Sequence, residues 1–141
     1  MGRILAIDYG QKRVGLAVTD EMQIIATGLD TVHVKDIMQY LKNYVAREKV
    51  ECFVVGLPVQ MNNKPSDAQR FIEPFVKQLK KQFRDIPVDR FDERFTSNLA
   101  HDTMLTAGLK KKDRQNKALV DKISATLILQ SYLHSKSNNR I

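Results

Sequence analysis

The chain has 141 residues, enough for one domain with a single substantial core. It is 43% apolar, and no apolar run approaches the roughly 18 residues of a membrane helix, so a helical membrane-spanning class is excluded. Twenty-three Lys and Arg against 16 Asp and Glu leave a net charge of +7, which points toward a polyanionic partner such as nucleic acid.

Arg3-Ile4-Leu5-Ala6-Ile7 is apolar almost without a break, the pattern of a strand buried on both faces. The chain enters this strand directly, so no signal peptide is expected and the location expected is cytoplasmic. Asp8 ends the strand and Gly10 follows one residue later. An ionised carboxylate there costs several kcal/mol to bury unless a positive group meets it, so Asp8 faces either solvent or a cation. After the basic turn Gln11-Lys12-Arg13, the run Val14-Gly15-Leu16-Ala17-Val18 alternates large with small residues and reads as a returning antiparallel strand. The hairpin therefore presents Asp8, Gly10, Lys12 and Arg13 at one end.

Residues 23–34, with Ile24, Ile25, Thr27, Leu29, Thr31 and Val32, read as a third strand after a turn at Asp20-Glu21. From Lys35 to Glu48 the period changes to three and four, through Ile37, Met38, Leu41, Tyr44 and Val45, and predicts an amphipathic helix. Cys52 to Leu57 is a continuous apolar strand ended by Pro58, and its lone cysteine fits a small buried thiol in a reducing compartment. A loop from Pro58 to Ser66 precedes a long helix from Ala68 to Phe83, with Pro74 expected to kink it. Residues 87–91 predict a short strand, Thr96 to Ala107 a helix stopped by Gly108, and Ala118 to His134 a last helix. The order demands a five-stranded mixed sheet: an antiparallel β1-β2-β3 meander, then parallel β4 and β5, with helices packed on both faces.

Ligand sites in such a sheet gather beyond the carboxyl ends of the parallel strands. That edge collects Asp8, the Gly56-Leu57-Pro58 turn and Asp92-Glu93. Asp121, about one turn into the last helix near Ser124, Ala125 and Ile128, has a face turned toward the protein. Three converging carboxylates repel unless divalent cations neutralise them, and oxygen donors without nearby His or Cys favour magnesium or manganese. Two such ions about 4 Å apart suit phosphodiester hydrolysis. Other readings stand beside this one. Asp8 could be a solvated turn residue with Gly10 supplying positive φ, Asp92 and Glu93 a loop paired with Arg94, and Asp121 a partner of the helix dipole. His33, His101 and His134 have no metal-like spacing.

Four motifs in order carry a family likeness: Ile7-Asp8-Tyr9-Gly10 with Lys12-Arg13-Val14-Gly15, Val55-Gly56-Leu57-Pro58 with Met61-Asn62, Asp92-Glu93-Arg94-Phe95-Thr96, and Val120-Asp121-Lys122-Ile123-Ser124-Ala125. The chain resembles the YqgF/RuvX family of pre-16S rRNA nucleases and Holliday-junction-resolvase-like proteins, over about Arg3 to Leu133. The resemblance implies an RNase H-like nuclease domain over residues 1–135, and the polar residues 136–141 read as a flexible tail. It also implies Asp8, Glu93 and Asp121 as the catalytic, metal-binding acids, favouring Glu93 over Asp92. Asn63 departs from the glycine frequent in the family, and Ser97 stands where threonine is common.

Lys12 and Arg13 beside Asp8, Arg94, and the basic run Lys110, Lys111, Lys112, Arg114 and Lys117 suit phosphate contacts, as does Asn62; a solvated basic loop is the alternative for the run. The expected substrate is precursor 16S rRNA, with ribosomal proteins as candidate helpers and no membrane partner. Branched DNA is the alternative, which requires a symmetric dimer with two sites. Readings of other classes are a non-catalytic RNA-binding module and an actin-like nucleotide-binding lobe.

Overall fold

A computed structural model describes residues 2–57, 69–92 and 117–138. The loop expected after Pro58, the helix expected over Thr96 to Ala107, and the basic run from Lys110 to Arg114 lie outside the described residues. The elements are β1 (Arg3–Tyr9), β2 (Arg13–Thr19), β3 (Ala26–His33), α1 (Ile37–Arg47), β4 (Val50–Leu57), α2 (Gln69–Gln82), β5 (Val88–Asp92) and α3 (Lys117–Asn138).

The five strands form one sheet in the order β3-β2-β1-β4-β5. β1 pairs antiparallel with β2 and β2 with β3, whereas β4 pairs parallel with both β1 and β5. This is the expected mixed sheet. Strand alternation then divides the core in two. Leu5, Ile7, Leu16, Phe53 and Val55 point to the side where Leu41 of α1 and Phe75 and Leu79 of α2 close over them. Ile4, Ala6, Ala17 and Val54 point to the other, beneath Ala125, Ile128 and Leu129 of α3. Most of these side chains are inaccessible to water, and each buried Leu, Ile or Phe contributes roughly 2 kcal/mol of transfer free energy. The residues facing α3 include the smaller ones, so this helix can lie close to the sheet.

The third strand begins later than its apolar residues suggest. Ile24 and Ile25 are 68% and 64% exposed and belong to the turn before β3, not to the sheet. The Asp20 carboxylate accepts hydrogen bonds from the backbone N–H groups of Met22, Ile24 and Ile25, and Gln23 takes a φ of 59°. Those bonds hold the backbone in a tight turn that a strand cannot share. α2 is assigned as one helix across Pro74, whose side chain is exposed. α3 runs on through Asn138, beyond the end near His134 given by its apolar pattern.

Candidate active site

Asp8 takes its direction from its neighbours in β1. Ile7 lies in the α1–α2 core, and the Tyr9 ring stacks on Phe75 of α2 with centroids 4.3 Å apart. Asp8, between them, alternates to the α3 side with Ile4 and Ala6. Its partner across the antiparallel pair is Gly15, and the parallel register Ile7↔Val55 brings Gly56 alongside on the other flank. Neither flanking position has a side chain, so the half-buried carboxylate is not crowded from within the sheet. Gly10 does not adopt positive φ. Its lack of a side chain serves closure of the hairpin, because a Cβ there would stand 2.7 Å from the Arg13 carbonyl oxygen.

Asp121 reaches the same place from the far end of the chain. α3 rests so closely on Gly15 that an added Cβ would lie 2.1 Å from the Asp121 carbonyl oxygen and 3.1 Å from its Cβ. The residue paired with Asp8 thus carries the root of the Asp121 side chain directly on top of it. Two residues earlier on the same strand face, Arg13 Nε donates to Asp121 Oδ2 at 2.8 Å. Backbone and carboxylate of Asp121 are both seated on β2.

The other expected residues divide as follows. Lys12 is exposed in the β1–β2 turn, where its carbonyl accepts the Val34 N–H at 3.0 Å. Asp92 is the last residue of β5 and does not follow it. Asp89 and Phe91 face α3, whereas Val88 packs in the α1–α2 core and Arg90 pairs with Glu73 of α2 at 2.8 Å. Alternation therefore sends Asp92 to the α2 side, away from Asp8 and Asp121. Glu93, Arg94, Asn62, Lys110, Lys111, Lys112 and Arg114 lie outside the described residues, as does the side chain of Lys117. His33 and His134 are exposed.

Two contributors escape the sequence reading. One is Gly15, whose signal is the small residue at positions 15 and 17 on one strand face, a cue for close approach of another element. The other is the tether of α3 to β5: the Tyr132 hydroxyl donates to Asp89 Oδ2 at 2.5 Å. Burial, then this bond, pushes the phenol well above its ordinary value. Beside it the Cys52 thiol, bonded to the Phe53 carbonyl at 3.4 Å, is raised chiefly by burial.

Among the described residues no group of three or more His, Cys, Asp or Glu side chains could hold a metal ion. Asp8 and Asp121, both of which adjoin Gly15, offer only hard oxygen donors, which fit magnesium or manganese as part of a larger ligand set.

Sheet order and helices on both faces define an RNase H-like fold. T. thermophilus RuvC in complex with Holliday junction substrate shares it, with a TM-score of 0.60 over 98% of this chain and 97% of that one at 14% identity. Residues 2–135 match the family described as "RuvX: Holliday junction resolvase", and the chain belongs to that family. A Bacteroides fragilis protein named "Putative pre-16S rRNA nuclease" is 63% identical over 136 residues, 96% of this chain and 99% of its own. A Flavobacterium psychrophilum protein of the same name is 57% identical over the same share of each.

Proposed function

We propose that the protein is a cytoplasmic metal-dependent endonuclease that processes the 5′ end of precursor 16S rRNA. The observation that supports the catalytic reading is that Gly15, the strand partner of Asp8, also carries the backbone and Cβ of Asp121 against it. The substrate reading is supported by relatives more than half identical along almost their whole length and named for that RNA.

Asp8 and Asp121 would hold the divalent metal, with Glu93 as the third carboxylate, a role for which Asp92 faces the wrong way. When bound, magnesium or manganese supplies the positive charge that favours water attack and departure of the ribose oxygen. Arg13 keeps Asp121 oriented, and exposed Lys12 meets a backbone phosphate at the mouth of the site. Arg94, Asn62 and the basic residues from Lys110 to Lys117 are the further candidates for contact with the RNA backbone.

The test compares cleavage of a structured precursor RNA and of a four-way DNA junction in magnesium. Wild type is expected to cut the RNA, and Asp8→Asn to abolish cutting while its circular dichroism and melting temperature stay near wild type. Full activity in folded Asp8→Asn removes the catalytic assignment. The family description favours a second reading, junction resolution. Preferential cutting of the junction by a dimer would establish it instead.

A further inference from the structure

We propose that Arg13 is the resident counterion of Asp121 and that its charge limits how tightly the site takes a divalent cation. The inference rests on Asp8 and Asp121 being metal-holding acids, and it changes what Arg13 does. The sequence assigns Arg13 to phosphate, but in the structure its Nε is spent on Asp121 Oδ2 at 2.8 Å, across a separation of 108 residues.

Three features make this pair a device for tuning the site. It is not sealed: the side chains of Arg13 and Asp121 are 36% and 25% exposed, so ions reach them. An arginine side chain is a fixed positive charge, which an arriving cation must meet. Asp121 is also held independently, because its backbone sits on Gly15 of the same strand. Removing the Arg13 charge therefore leaves the helix in place.

Loss of Arg13 has two opposed effects on metal binding. It frees one carboxylate to rotate, which weakens binding. It also removes a unit charge from within a few ångströms of a doubly charged ion, which strengthens binding. Even at the high effective dielectric of a partly exposed site, the second effect exceeds the ordering of one short side chain. Metal affinity should therefore rise when the charge is removed. A guanidinium turned outward to nucleic acid predicts a smaller gain, because its charge would lie farther from the ion.

The experiment titrates Mn2+ alone into the full chain by calorimetry, without nucleic acid. Wild type is compared with Arg13→Gln, Arg13→Met (which keeps the apolar stem), Arg13→Lys and Asp8→Asn. Arg13→Gln and Arg13→Met are expected to bind Mn2+ about tenfold more tightly than wild type. Arg13→Lys is expected within about twofold, because it retains the charge. Melting without metal should fall in the two neutral variants and recover by a larger shift than wild type on saturation with Mn2+. Unchanged or weaker Mn2+ binding in both neutral variants, beside a wild-type isotherm that Asp8→Asn removes, overturns the inference alone. A wild type with no Asp8-dependent isotherm overturns the metal-site reading and this inference with it.

Discussion

At the scale of single residues, Gly15 decides whether the two acids can meet. Any side chain there must displace backbone, since the nearest atom to an added Cβ is the Asp121 carbonyl oxygen at 2.1 Å. Gly15→Ala should cost about 3 kcal/mol in urea unfolding and abolish cleavage, because α3 must lift or tilt. Gly28 of β3 makes the useful contrast. An added Cβ there meets only side-chain atoms, Lys122 Cγ at 2.8 Å and Thr126 Oγ1 at 3.3 Å, which yield at less cost than backbone. Gly28→Ala should cost less than about 1 kcal/mol and leave cleavage near wild type. Asp8 stood out in the sequence because a carboxylate ending a buried apolar strand is costly without a reason, whereas Asp121 and Glu93 were singled out chiefly by the family resemblance. The bond between Arg13 and Asp121 was not, because nothing in local pattern links residues 108 positions apart. The basic character of Arg13 pointed outward to phosphate, and its partner inside the fold was invisible.

At the scale of elements, α3 closes the site, and two contacts fix it. Its first turns rest on Gly15, and Tyr132 lower down is bonded to Asp89 of β5 at 2.5 Å. The folded state favours the protonated phenol, through burial first and Asp89 second. A value raised above that of the unfolded chain means stabilisation that is complete below the ordinary phenol value of about 10 and fades as pH rises toward the folded value. Tyr132→Phe should lower stability by about 1–2 kcal/mol at neutral pH. Denaturant midpoints of the two proteins should then converge as pH climbs past about 10. Element types followed the apolar period for every strand and for α1, α2 and α3. The early start given to β3 failed for a definite reason. Ile24 and Ile25 have strand-like side chains, but the three backbone N–H groups claimed by Asp20 set the conformation there.

At the scale of the whole molecule, the net charge of +7 sets how the protein meets its substrate. Affinity for structured RNA should fall linearly on a log–log plot against salt, and Lys12→Gln should reduce the slope by about 1. Fluorescence anisotropy across a salt series measures this; an unchanged slope would return Lys12 to the solvated surface. Membership of the RuvX family over residues 2–135 sets aside the actin-like lobe, which needs a second lobe around its cleft. The mixed sheet was legible from strand order alone, since antiparallel links are short and parallel ones need a crossover.

The β1–β2 hairpin brings Asp8, Arg13 and Gly15 together within a few residues, yet what they act with arrives more than a hundred residues later. Docking of α3 on β2 is therefore a long-range event, and the proposed site stays divided between hairpin and helix until that contact forms.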